Sequence, residues 1–325
     1  MHQRTEPDLN TIANEARLAE SRIRPYIRET PLEHSPFLSH EIRGQVFLKL
    51  ENLQLTGSFK LRGAMNKILS LSKAQRERSV VTASSGNHGH AFAYLSNRFG
   101  FPGIVYLPET TDPGKVETLK AYGVDIRIQG DDCVRAEAAA RAAAADQGFA
   151  YVPPYNDLQI IAGQATVGTE LSIQAETMDA ILVPVGGGGL ISGIAGYLKS
   201  QNISASIYGC QPENSQVMYE SLKAGRILDL ESLPTLSDGT AGGIESDSLT
   251  FPLCRDHVDG FFLLSEEEIR AALKLVIAKH HILIEGAAAL PVAALLKERE
   301  RFKGQTVVLV LSGATLSLAT LKKIL

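Results

Sequence analysis

Residues 183–190 read Val183-Pro184-Val185-Gly186-Gly187-Gly188-Gly189-Leu190, and this stretch decides how the chain is understood. The apolar run Ala180–Val185 has the composition of a buried strand, and a helical pattern begins after the glycines. A plain turn needs one or two glycines. Four in succession let the backbone approach a ligand closely and aim its N–H groups at an anion, and the helix N-terminus behind them adds to that attraction. No G-x-G-x-x-G register fits across Gly186–Gly193 and no Gly-Lys-Ser/Thr follows, so neither the dinucleotide fingerprint nor a P-loop is present.

Outward from this turn, further strand candidates are Gln45–Glu51, Ser79–Ala83, Gly103–Leu107, Asp125–Ile128, Ser206–Cys210 and Gln305–Leu311. Helical patterns separate most of them, which predicts an α/β fold on a mostly parallel sheet. One helix carries a full start signal: Ser265 and Glu268 form a capping box ahead of an apolar stripe at Ile269, Ala272, Leu273, Val276 and Ile277. The alanine-rich stretch Arg135–Ala145 reads as a helix. Residues 224–245 are the weakest in pattern and read as a loop-rich excursion.

The bulk numbers narrow the function. A chain of 325 residues, 44% hydrophobic and 21% charged, can bury substantial cores. A net charge of −4 and no basic helix face give nucleic-acid binding no support. Cys133, Cys210 and Cys254 lie far apart without metal or disulfide spacing. Met1–Arg24 is polar, and no apolar run reaches 18 residues, so the expectation is a cytoplasmic protein with no membrane partner.

Three other strand ends carry candidate chemistry. Gly57-Ser58-Phe59-Lys60-Leu61-Arg62-Gly63 follows the first strand candidate. A desolvated lysine there is a nucleophile toward aldehydes, although taken alone the residue reads first as an ordinary solvated loop lysine. Thr82-Ala83-Ser84-Ser85-Gly86-Asn87-His88-Gly89 joins a strand to a helix and presents N–H groups and hydroxyls suited to a carboxylate. A simple capping turn would use the same residues, and His88 would serve as a structural hydrogen-bonder. Ser312-Gly313 ends the buried run Val307–Leu311, either as a turn or as a ligand hydroxyl. Lysine, carboxylate turn, anion cradle and hydroxyl together suit an amino acid and a phosphorylated aldehyde.

At this point the chain resembles the fold-type II (tryptophan synthase β-like) pyridoxal 5'-phosphate enzymes, in the serine/threonine dehydratase and serine racemase branch. The resemblance runs over nearly the whole length and includes Phe47-Leu48-Lys49-Leu50-Glu51, Ile161-Ala162-Gly163-Gln164-Ala165-Thr166, Asp238-Gly239 and Ile284-Glu285-Gly286. It implies a large domain of residues 1–75 and 156–325 with a twisted, mostly parallel sheet, a smaller αβα domain of residues 76–155, and the cofactor in the cleft between them. It also implies a homodimer. By the same resemblance Lys60 carries the cofactor as a Schiff base and Phe59 packs beside it. Asn87 bonds the ring hydroxyl, Gly186, Gly187, Gly188 and Gly189 cradle the phosphate, and Ser312 meets the ring nitrogen. Ser84, Ser85, Gly86, Asn87 and His88 bind the carboxylate of a small amino acid. The implied activity is α,β-elimination on L-threonine or L-serine to a 2-oxo acid and ammonia. Racemisation, with Ser85 as the opposite-face acid/base, is the alternative, as is a related substrate such as 3-hydroxyaspartate or phenylserine.

The sequence departs from that family at several points. Gln211 and Val217 stand where metal-binding members carry carboxylates, so no metal is expected. His90, Pro154-Tyr155-Asn156-Asp157, Thr240-Ala241-Gly242-Gly243 and Ser312-Gly313-Ala314-Thr315 also differ from common patterns. Their expected place is the substrate side, with Tyr155 lining the substrate pocket. The chain stops near Leu325, so a C-terminal regulatory domain is not expected.

Overall fold

The computed structural model describes residues 6–324; residues 1–5 and 325, within the spans assigned above to the large domain, lie outside the described residues. Ten strands are present among them: β1 (Leu32–His34), β2 (Gln45–Lys49), β3 (Val80–Ala83), β4 (Gly103–Leu107), β5 (Asp125–Ile128), β6 (Ala150–Tyr151), β7 (Ala180–Pro184), β8 (Ser206–Pro212), β9 (Gly260–Leu264) and β10 (Thr306–Val310). They form a six-stranded sheet in the order β1-β2-β10-β7-β8-β9 and a four-stranded sheet in the order β5-β4-β3-β6. Every pairing is parallel except β1 with β2. The seven strand candidates of the sequence are all strands, displaced at their ends by two residues at most. β1, β6 and β9 were not expected; β1 and β6 are too short to carry a pattern.

The central strands of the large sheet are apolar on both faces because helices cover both. Along β10 the side chains alternate. Val307, Leu309 and Leu311 join a core with the helices Glu266–His280 and Gly286–Lys297, while Val308 and Val310 join one with Leu158–Gln174 and Gly189–Ser200. Ser265 caps its helix as expected, with the reciprocal Glu268 bond in place. In the small sheet, Val81, Ile104 and Tyr106 rest on Ala136 and Ala140 of the helix Cys133–Gln147, where alanine allows a close approach. The other face packs with Leu61, Met65, Ile23 and Ile160, which all lie outside residues 76–155. Among the described residues no helix is long and apolar enough to cross a membrane.

Candidate active site

The C-terminal ends of the two sheets point at a common cavity of about 330 Å³, the kind of crevice in which open parallel sheets bind ligands. Lys60, Ser84 to His88, Tyr155, Gly186 to Gly189, Glu285 and Ser312 all line it. Residues as far apart in sequence as Lys60 and Ser312 are thus brought together at the strand ends.

Lys60 reaches the cavity through main-chain pairing. Ser58 bridges Gly313, and the Phe59 N–H donates to the Ser312 carbonyl at 3.1 Å. Lys60 then opens the helix Lys60–Ser70. Its Nζ donates to the Pro154 carbonyl at 2.9 Å and lies 5.3 Å from the centroid of the Phe59 ring. Desolvation lowers its pKa to about 8, with the Glu285 carboxylate pulling the other way.

A buried ionic cluster anchors this helix from beneath. Arg62 donates to both oxygens of Glu51 at 2.8 Å, and to Glu170 at 2.8 and 2.9 Å. Lys49 bonds Glu170 as well. The first turn that carries Lys60 is therefore tied to the end of β2 and to the helix Leu158–Gln174.

The glycine turn admits no side chain. A β-carbon would stand 3.0 Å from the Thr240 backbone at Gly186, 2.6 Å from the Tyr155 ring at Gly187, and 3.1 Å from Tyr155 Cβ at Gly189. Gly188 has φ +84°, a left-handed conformation suited to glycine. What remains is bare backbone at the start of the helix Gly189–Ser200, which fits a phosphate.

The loop at residues 84–88 meets the cavity at the start of the helix Asn87–Phe99. The His88 ring turns away: it is buried, Nε2 donates to the Val152 carbonyl at 3.0 Å, and burial drops its pKa to about 3. Only the backbone of His88 is left for a ligand. Asn87 is held by Glu285, whose oxygens accept from Nδ2 at 2.8 and 2.9 Å.

In the sequence Glu285 stands only as the middle of the Ile284-Glu285-Gly286 motif, which assigns it no role. It is 3% exposed, and burial raises its pKa to about 7. Gly313 makes room for it, since a β-carbon there would stand 2.6 Å from Oε1. A lone acid between Ile284 and the apolar stretch Ala287–Leu290 was the signal available.

Three departures from the family pattern line the common cavity and also touch its cofactor end. Tyr155 packs on the glycine turn, Thr240 backs Gly186, and the Thr315 hydroxyl donates to Asn87 Oδ1. Three of the four differing segments thus touch residues expected to hold the cofactor. The reason is that strand-end loops distant in sequence converge here. The Gln211 amide is occupied, donating to the Val185 carbonyl at 3.2 Å and accepting from the Tyr219 N–H at 2.9 Å, and Val217 is buried.

A cradle of bare glycine backbone faces an enclosed amine across one cavity, and this donor set fits a phosphorylated aldehyde. A family model described as pyridoxal-phosphate dependent enzyme matches residues 23–313. The chain belongs to this family. Its cofactor is pyridoxal 5'-phosphate, and its fold is that of the fold-type II enzymes. It is 38% identical to the L-threonine ammonia-lyase of Thermotoga maritima over 307 residues, covering 94% of this chain and 76% of that protein. Among solved structures it is similar to serine racemase from Dictyostelium discoideum, at 34% identity and TM-score 0.87, covering 97% of this chain and 100% of that one. It is also similar to the processed form of threonine deaminase isoform 2 from Solanum lycopersicum, at 30% identity and TM-score 0.92, covering 97% and 87%.

Proposed function

We propose that this family member is an ammonia-lyase acting on a small β-hydroxy amino acid such as L-threonine or L-serine, releasing a 2-oxo acid and ammonia. The observation that carries the reading is the enclosed Lys60 amine, with its pKa lowered to about 8, in one cavity with an anion-binding glycine turn and a second helix N-terminus. The similarity to L-threonine ammonia-lyase supports it.

When bound, pyridoxal 5'-phosphate supplies an aldehyde for amines and a ring that draws electrons away from Cα. The lowered basicity of Lys60 leaves a fraction of its amine neutral near pH 8, able to attack the aldehyde. The Lys60 amine, when free, is the base placed to take the Cα proton of the substrate. The N–H groups of residues 84–88 orient the substrate through its carboxylate, and Gly186–Gly189 hold the phosphate. Phe59 lies beside Lys60 and would pack against the bound cofactor. Ser312, in the cavity wall, would offer the ring nitrogen a neutral hydroxyl, which cannot keep a proton there as a carboxylate would. No role is assigned to a metal, because an amide and a valine occupy the ligand positions.

We further propose a cytoplasmic homodimer with residues 76–155 as its small domain. The family resemblance and the free thiols of Cys133, Cys210 and Cys254 support this. Racemisation is a second reading, favoured by Ser85 in the cavity wall and by the likeness to serine racemase.

Lys60→Ala tests the assignment: the visible absorbance of the reconstituted protein and the release of 2-oxo acid should vanish together, and survival of both would overturn it. Screening β-hydroxy amino acids for ammonia release, with chiral analysis of the remaining substrate, separates elimination from racemisation.

A further inference from the structure

Asn87 is gripped at both ends of its amide. Nδ2 donates to Oε1 and Oε2 of Glu285 at 2.8 and 2.9 Å, and Oδ1 accepts from the Thr315 hydroxyl. The Thr315 N–H in turn donates to Glu285 Oε2 at 3.1 Å, so the three residues close a ring of hydrogen bonds.

This ring has a direction. An ionised carboxylate only accepts, and a threonine hydroxyl facing a carbonyl donates. Turning the amide over would set Oδ1 against Glu285, acceptor on acceptor, with Glu285 almost wholly removed from water. One Nδ2 hydrogen directed between the two carboxylate oxygens serves both. The second is left for the cavity that Asn87 lines.

We propose that Glu285 and Thr315 are positioning residues that lock Asn87 as a hydrogen-bond donor toward the cavity, so that the ligand atom it meets is held as an oxyanion. The inference rests on the functional reading above, in which that atom is the ring oxygen of the cofactor. It gives Thr315, in the divergent Ser-Gly-Ala-Thr segment, a task at the cofactor rather than at the substrate. It also makes the lock conditional on charge: a protonated Glu285 has a donor of its own, and the amide is then free to turn. Lys60 and Asp238 are the charged groups that act on Glu285, in opposite senses.

The test is a pH titration of the visible absorbance and fluorescence of the reconstituted holoenzyme, with activity measured alongside. Glu285→Gln presents an amide that pairs with Asn87 in either orientation, and Thr315→Val removes the donor to Oδ1. Each should move the absorbance midpoint upward, by about one pH unit for Glu285→Gln and less for Thr315→Val, because an anion that loses a donor binds its proton more tightly. Thr315→Ser should restore the wild-type midpoint. If Glu285→Gln fails to fold, the Thr315 pair decides alone. Wild-type midpoints in the foldable variants would overturn the lock and leave the functional reading intact. A wild-type protein that takes up no cofactor would overturn the functional reading instead.

Discussion

The ring of Tyr155 lies against Gly187, so close that a β-carbon on the glycine would stand 2.6 Å from Cγ and Cδ1. The ring has little freedom to retreat, since its hydroxyl accepts from the Glu245 N–H at 2.8 Å. The glycine turn is therefore shaped by a side chain that follows β6 in the other sheet.

Gly187→Ala should accordingly destabilise the cofactor-free protein by about 1–3 kcal/mol, the usual cost of overpacking. It should also weaken cofactor uptake at least roughly ten-fold, as the turn shifts to relieve the contact. Thermal unfolding and an absorbance titration with pyridoxal 5'-phosphate measure the two effects. Unchanged uptake would show that the turn does not hold the phosphate.

Arg62 is fully buried between Glu51 and Glu170. Arg62→Met leaves buried carboxylates short of a partner and should cost about 3–5 kcal/mol in denaturant unfolding. Adding Glu51→Gln should recover part of that loss. If the double variant is no more stable than the single one, uncompensated charge is not the cause.

Glu285 gives a pH signature to the cofactor-free protein. Its folded pKa is about 7 against an ordinary 4.5, raised chiefly by burial. The native state then holds a proton that the unfolded chain has already released, so this stability is complete below pH 4.5 and is lost as pH rises to about 7. The total is about 3 kcal/mol. Urea midpoints at pH 5 and pH 7.5 should differ less in Glu285→Gln than in the wild type, and equal differences would refute the assignment.

Lys60 acts in another window and with the opposite sign. Its pKa falls from 10.5 to about 8, so the unfolded chain binds the extra proton and stability rises between those values. Lys60→Met should remove that rise from the cofactor-free protein, read as unfolding midpoints at pH 8 and pH 10. A rise that persists in the variant belongs to another group.

Ser265→Ala breaks the capping box of the helix Glu266–His280 and should cost about 1 kcal/mol, read as a shift in the unfolding midpoint. A neutral outcome would mean that tertiary packing alone holds that helix end.

Much of the site was legible in the chain because its determinants are local. Four glycines between a strand and a helix, a strand-to-helix turn at Ser84–Asn87 and a lysine opening a helix are each set by neighbours in sequence, and each stands on the cavity. What could not be read was which side chains meet. Glu285 became visible only when Gly313, Asn87 and Thr315 closed around it, and the His88 ring turned out to bond the Val152 carbonyl, leaving its backbone facing the site.

By itself, the sequence determined the alternation of strands and helices, because local composition and periodicity encode them, and its motifs carried the resemblance that implied the family, the cofactor and the role of Lys60. Only the tertiary structure decided that Tyr155 shapes the glycine turn, that Thr315 and Glu285 grip Asn87, and that Arg62 anchors the turn carrying Lys60. Those facts depend on loops from different strands converging in space, and burial then sets the charge and hydrogen-bond direction of each group in ways that no stretch of neighbouring residues specifies.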